Sequence, residues 1–365
     1  MNQDNISVYR TLQEHLDSMP VGFPATESGV EIRILKRLFT TEEARIATYL
    51  RYSHHPSETL NDIYARLDST GISIEKLETI LDTMVSKGLI ITGKEDDKKL
   101  YNNAPWVIGI YEFQVNKMTP ELFDDIVDYN IEAFGRALHY SQPPQLRVIP
   151  IGKSIPHRKE IASYDDVRGL IQTSDGPFMV ANCICRQSMD LMDNPCKATD
   201  RRELCIGAGP IASMYIDQGW GREISRDELF EIILKNEEDG LVLQPSNAKK
   251  LEFLCNCCGC CCGVIIGTKM SRRPARFFAT NHYTQVDQEL CTQCGICTER
   301  CQMDAITLEN EGLLINLDRC IGCGVCVASC DYDALSLQKR EEEKIPPGTV
   351  DDLYAMILKK QIDET

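Results

Sequence analysis

At 365 residues the chain is long enough for two or three domains, and an apolar content of 43% excludes an intrinsically disordered class. A net charge of −16 argues against general affinity for nucleic acid or anionic membranes and suits a soluble protein meeting basic patches on its partners, although acidic surfaces also serve solubility alone. No run approaches the roughly 18 apolar residues of a membrane span, and the start MNQDNISVYRTLQEHLDS lacks a basic segment followed by an apolar one, so a cytoplasmic location with reduced thiols is expected.

Residues 30–104 read as short amphipathic helices. Ala44, Ile46, Ala47 and Leu50, then Leu60, Ile63 and Leu67, then Ile74, Leu77, Ile80, Leu81, Met84 and Val85 follow a period near 3.6. Gly88 ends the third helix, and Leu89-Ile90-Ile91 begins a strand with a polar tip at Lys94 to Lys99. Three helices and a hairpin in this order resemble a winged-helix domain. Where such domains bind DNA, the third helix brings basic and polar side chains to the major groove. Here that helix, Ser73 to Lys87, sets Lys76 and Lys87 against Glu75, Glu78 and Asp82, and residues 30–104 hold 11 Lys and Arg against 12 Asp and Glu. Nucleic acid is therefore not the expected partner, and a protein-docking or dimerisation role is.

Further along, a helix is expected from Thr119 to Leu138, a boundary at Pro143-Pro144 and a strand near Leu146 to Ile151. A helix around Tyr164 to Gln172 leads through Asp175-Gly176-Pro177 to an apolar strand, Phe178 to Ala181, that delivers Cys183. Residues 222–241 read as helix ending at Gly240, and the tail closes with a helix from Val350 to Lys360. Ile206-Gly-Ala-Gly-Pro-Ile-Ala212 imitates a dinucleotide fingerprint, but Arg201 to Cys205 does not read as a strand opening a βαβ unit, so a glycine-rich turn entering a helix is expected. Of six histidines only His54 and His55 adjoin, and before Pro56 they read as a loop.

Cysteine dominates the chemistry. Of 18 cysteines, 14 lie in three dense groups, many too close along the chain for ordinary disulfide geometry. Cys291-x2-Cys294-x2-Cys297-x3-Cys301 repeats 29 residues later as Cys320-x2-Cys323-x2-Cys326-x3-Cys330. Gly295 with Gly324, Asp304-Ala305-Ile306 with Asp333-Ala334-Leu335, and Leu308 with Leu337 repeat as well. Two-residue spacing lets three thiolates converge on one iron–sulfur cube, on a loop whose amides can reach the sulfides. Zinc sites also use Cys-x2-Cys pairs but rarely need two interleaved sets at this spacing. Residues 284–338 resemble a bacterial-type two-[4Fe–4S] ferredoxin domain. The resemblance implies one cluster on Cys291, Cys294, Cys297 and Cys330 and another on Cys320, Cys323, Cys326 and Cys301. Family members usually carry Pro after the fourth cysteine, whereas Gln302 and Asp331 follow here.

Two further constellations precede this repeat. Cys183, Cys185, Cys196 and Cys205 fall within 23 residues and are candidates for a third cluster, with Arg186 placed to offset its charge. Cys255, Cys257, Cys258, Cys260, Cys261 and Cys262 fall within eight residues. No single cubane takes all six, because neighbours along an extended chain point apart, so some must complete another site or stay free. Their two Cys-Cys-Gly runs resemble the cysteine-rich domains of heterodisulfide reductases, although the further cysteines such domains need are not placed here. The stretch 145–338 is similar to large ferredoxin-like iron–sulfur proteins of anaerobic microbes.

The expected fold is α+β, with a helical winged-helix-like domain over 1–140 and a central α/β cysteine-rich domain over 145–283. A ferredoxin-like dicluster domain over 284–338 follows, then a linker and helix over 339–365. The expected function is single-electron transfer through two [4Fe–4S] clusters, to or from a further cysteine-ligated site holding a third or fourth cluster, with redox proteins bearing basic docking surfaces as partners. Two alternatives remain: an oxidoreductase with a substrate-facing cluster in 183–262, and a redox-sensing regulator using the winged-helix-like region.

Overall fold

Helical periodicity and well-placed caps build the first part of the chain. A computed structural model describes residues 3–52, 58–67, 71–96, 98–155 and 162–363. By contacts the chain divides into one unit of Met1–Gln142, Ser213–Trp220 and Tyr354–Thr365 and another of Pro143–Ala212 and Gly221–Leu353. The histidine pair at 54–55 lies outside the described residues.

In the first unit, α1 (Gln3–Asp17) and α2 (Val30–Leu38) precede α3 (Thr41–Ala47), β1 (Glu58–Thr59), α4 (Leu60–Leu67), α5 (Ile74–Lys87), β2 (Ile90–Glu95) and β3 (Lys98–Asn103). Thr40 and Glu43 close a capping box on α3, and Ser73 caps α5. Gly88 ends α5 in the left-handed conformation. The strands pair antiparallel in the order β1-β3-β2. Leu12, Leu16, Ile34, Leu35, Ala44, Leu77, Leu81 and Met84 form the buried side. α2 falls in the stretch read as amphipathic helix, whereas no element is expected at α1, where Arg, Gln and Glu interrupt the apolar spacing, or at β1, which is only two residues long. Next come α6 (Pro120–Tyr129) and α7 (Gly135–Tyr140), joined by a wider turn at Asn130–Phe134, where a single helix from Thr119 was expected.

The second unit is built on five antiparallel strands in the order β6-β4-β5-β8-β7. In chain order its elements are α8 (Val167–Thr173), β4 (Phe178–Asn182), α9 (Ile184–Leu191), β5 (Glu203–Ala208), α10 (Pro210–Asp217, which crosses the unit boundary), β6 (Gly221–Ile224), α11 (Arg226–Glu238), β7 (Val242–Pro245), β8 (Phe253–Cys257) and α12 (Gly263–Lys269). Three sequence expectations change here. Residues 203–208 do form a strand, but it pairs antiparallel with both neighbours, so no βαβ unit follows the glycines. Residues 221–224 are strand rather than helix, because Ser225 caps α11 and starts it four residues late. Residues 146–151 make isolated bridges to Ser246, Ala279 and Leu243 instead of a strand.

The cysteine repeat closes the second unit as a pseudo-symmetric pair: β9 (His282–Val286), α13 (Ile296–Arg300), β10 (Ile306–Glu309), β11 (Gly312–Ile315), α14 (Val325–Ala328) and β12 (Leu335–Lys339). β9 pairs with β12 and β10 with β11. The backbone repeats with the sequence. Gln293 and Gly322, Gly295 and Gly324, and Asp304 and Asp333 each share a positive φ, at 58° and 67°, 80° and 75°, and 52° and 52°. Gly295 and Gly324 bend the chain from the cysteine loop into α13 and α14, a conformation that costs a residue with a side chain about 1 kcal/mol or more. The terminal helix α15 spans Val350–Asp363.

Candidate metal centres

Each half of the repeat presents three cysteines on a tight loop, and the fourth comes from the other half. Cys301 lines a cavity with Cys320, Cys323 and Cys326, walled by Met303, Ile306, Ile315, Ile321 and Val325. Cys330 lines a second with Cys291, Cys294 and Cys297, walled by Leu313, Tyr332 and Leu335. Each is a small hollow of about 20 Å³. The two differ in access: Cys320 and Cys326 are buried, whereas Cys294 is exposed.

Donors are aimed at these sulfurs. The Ala305 amide donates to Cys301 Sγ at 3.2 Å, and Thr284 Oγ1 lies 3.4 Å from Cys326 Sγ. Burial raises the Cys301 and Cys323 thiols and pushes Cys326 up to about 12. Such thiols are neutral without metal, so metal binding must release their protons.

Eight of the ten upstream cysteines sort into two groups of four, and Cys205 and Cys255 form a cross-strand pair. Cys196 comes from the segment between α9 and β5, and Cys258, Cys260 and Cys261 from the turn after β8. Cys196 Sγ lies 3.6 Å from Cys258 Sγ and 3.9 Å from Cys260 Sγ. Cys260 Sγ lies 3.4 Å from Cys258 Sγ and 3.7 Å from Cys261 Sγ. All four lie within 4.8 Å of one another. The second group is Cys183 and Cys185 at the start of α9, with Cys257 ending β8 and Cys262 preceding α12. Within it the Cys183 and Cys185 thiols are hydrogen-bonded, as are those of Cys257 and Cys262, and Cys257 also meets the Cys255 thiol. Cys205 and Cys255 face each other across β5 and β8. Adjacent cysteines thus part company: Cys257 and Cys262 turn one way, Cys258 and Cys261 the other. Cys260 and Cys261 stay together because Gly259–Cys261 is a turn rather than extended chain.

Arg186 stands between the two groups. It is 1% exposed, and its Nε donates to Cys196 Sγ at 3.3 Å while Nη1 donates to Cys183 Sγ at 3.4 Å and to the Asn256 carbonyl at 2.9 Å. Its Nη2 has no hydrogen-bond partner among the described residues. A buried guanidinium in this position offsets the charge of clustered thiolates. Cys183 is held down to about 6, first by the hydrogen bond with Cys185 and further by Arg186. Cys196 is held well below the thiol range by bonds from Cys258 and Cys261.

The model of the 4Fe-4S dicluster domain matches residues 290–335. The chain matches no curated protein. The match falls on the eight-cysteine repeat, and the chain therefore carries an iron–sulfur domain of the ferredoxin type beside a cysteine-rich region. Both support iron–sulfur electron transfer. Among the described residues no helix is long and apolar enough to cross a membrane.

The cysteine-rich region adjoins the repeat within one core. Cys257 and Cys262 pack with Met303, Ala305, Cys320 and Ile321, and with the partly buried Cys301 and Cys323. Gln302, directly after Cys301, accepts a hydrogen bond from the Gly259 amide at 2.7 Å and donates to the Gly240 carbonyl at 3.1 Å. Sequence reasoning noted Gln302 only as a departure from the usual proline. Its partners come from segments about 40 and 60 residues away, which no local pattern signals.

Proposed function

We propose that the chain is an electron-transfer protein holding two [4Fe–4S] clusters on interleaved ligand sets, Cys291, Cys294, Cys297 and Cys330 for one and Cys320, Cys323, Cys326 and Cys301 for the other. The observation that carries this reading is the crossing of the fourth cysteines, Cys301 into the cavity of the second repeat and Cys330 into that of the first. Bound there, such clusters supply reversible one-electron chemistry, at the low potential that all-thiolate ligation favours. The protein supplies the rest. Met303, Ile321 and Val325 keep water from the inner cavity, and Ala305 and Thr284 donate toward its sulfurs. Exposed Cys294 and Tyr332 mark the outer cavity as the side a partner reaches.

Residues 281–340 carry four basic and nine acidic side chains, a net of −5. This supports a redox partner with a basic docking surface. At the inner end, the shared packing of Cys257 and Cys262 with Cys320 supports a relay that continues to a further thiolate site in the same chain. Iron and sulfide quantitation with EPR on anaerobically purified protein tests the reading. Two magnetically interacting reduced clusters are expected, and iron without equivalent sulfide would refute it.

The first unit is read as a winged-helix-like docking domain, with an order of helices and strands that supports the likeness. Three of its lysines pair internally, Lys76 with Glu42, Lys87 with Glu43 and Lys99 with Asp82. That favours a protein partner over DNA, whose phosphates need unpaired cations.

A further inference from the structure

We infer that Cys196, Cys258, Cys260 and Cys261 bind one tetrahedral metal ion through four thiolates, an ion separate from the dicluster pair and from any group on Cys183, Cys185, Cys257 and Cys262. The argument rests on size. A zinc or iron ion holds thiolates at about 2.3 Å, and a regular tetrahedron on that radius has edges of about 3.8 Å. Four of the six edges here are 3.4, 3.6, 3.7 and 3.9 Å, and the other two lie within 4.8 Å. A cubane cannot fit inside that span, because its own inorganic sulfides push the thiolate-bearing corners farther apart.

The eight repeat cysteines provide an internal contrast. Among the described residues they form no group of three with all sulfurs within 4.8 Å, whereas the upstream four do. Nor are the upstream sulfurs paired as disulfides, which need a separation near 2.05 Å.

The surroundings suit an anionic tetrathiolate centre. Cys258 is fully buried, and Cys196 and Cys261 are 8% and 4% exposed, in an apolar pocket with Leu204 and Leu241. The Lys197 amide donates to Cys260 Sγ at 3.4 Å and Arg186 Nε to Cys196 Sγ at 3.3 Å. These are the outer donors that a tetrathiolate site uses to spread its charge. The chain arrangement is that of a clasp, joining the irregular segment before β5 to the turn after β8. Zinc would make the clasp structural. Iron would make it a one-electron site within one hydrogen bond of Gln302.

The test uses the full chain purified without oxygen, as wild type and as the Cys258→Ser/Cys261→Ser double variant. The double variant is expected to lose one equivalent of zinc or one of iron, with acid-labile sulfide unchanged. X-ray absorption at the zinc edge of the wild type then shows four sulfurs at about 2.3 Å with no metal neighbour. If the ion is iron, Mössbauer spectra show a single-iron tetrathiolate component beside the clusters. Loss of sulfide together with iron would overturn the proposal in favour of a cluster, and unchanged metal content would overturn it outright. Should the double variant fail to fold, the wild-type spectra decide alone, since the absence of both signatures contradicts the site. The result is independent of the relay reading, which stands or falls on the eight repeat cysteines.

Discussion

Gln302 joins the two cysteine-bearing parts of the second unit: its Oε1 accepts the Gly259 amide at 2.7 Å, and a Cβ at Gly259 would stand 2.5 Å from the Gln302 carbonyl oxygen. The residue after Cys301 is thus in hydrogen-bond contact with the residue between Cys258 and Cys260. Through this contact Cys301, proposed above as a cluster ligand, and the cysteine-rich turn are connected by a few covalent bonds and one hydrogen bond. A proline at 302 would have no side-chain acceptor for that amide, which gives a physical reason for the departure from the ferredoxin pattern.

Substitutions at this contact should rank in order. Gln302→Ala removes the part-buried hydrogen bonds to the Gly259 amide and the Gly240 carbonyl, which water can partly replace, and should lower stability by about 0.5–1.5 kcal/mol. Gly259→Ala sets a methyl group against backbone that cannot rotate away, and should cost about 1–3 kcal/mol. Anaerobic thermal unfolding, followed by visible absorbance, checks the ranking. A Gly259→Ala protein as stable as wild type would show that the turn is looser than described.

Arg186 should control upstream metal affinity. It bonds one sulfur in each upstream group and the Asn256 carbonyl between them. Arg186→Met keeps much of the side-chain volume and removes the charge and all three bonds. Loss of outer-sphere partners of this kind typically weakens metal binding 10–100-fold. Competition with a chelator should show that loss for the upstream metal while the dicluster absorbance persists. Equal loss at both would point to general unfolding.

Partner recognition should depend on salt. With a net of −5 over residues 281–340, electron transfer to a basic one-electron acceptor protein should slow steadily as ionic strength rises. Stopped-flow rates between low and physiological salt measure it. A rate that is flat or rises with salt would remove the acidic surface from the docking account.

The first unit should not hold duplex DNA. Lys76 and Lys87 of α5 and Lys99 of β3 are engaged with Glu42, Glu43 and Asp82. Anisotropy titrations with random duplex, in both redox states, should show no salt-dependent binding near physiological salt. Binding that weakens steeply with added salt would restore the regulator reading.

Much of this site was legible in the sequence because the chemistry is written at short range. The eight repeat cysteines, their glycines and their 29-residue offset lie within one stretch, and the positive backbone angles repeat with them. The parting of neighbouring cysteines in 255–262 followed from strand geometry alone, except at Cys260 and Cys261, where a turn replaces extended chain. What could not be read was the pairing of Cys196 with a turn some 60 residues later, since it depends on β5 lying beside β8. The antiparallel order of the central sheet was hidden for the same reason. A glycine-rich strand end looks alike whether its neighbours run parallel or antiparallel. Ser225 was the legible signal that was missed, as a serine three residues before Glu228 marks the start of α11.

The interleaving of Cys301 and Cys330 is tested most directly by comparing reduced EPR spectra of serine variants of the full chain. Cys301→Ser and Cys320→Ser should leave the same residual signal, that of the cluster on Cys291, Cys294, Cys297 and Cys330, and combining the two should change nothing further. A Cys301→Ser spectrum that instead coincides with that of Cys291→Ser would contradict the account.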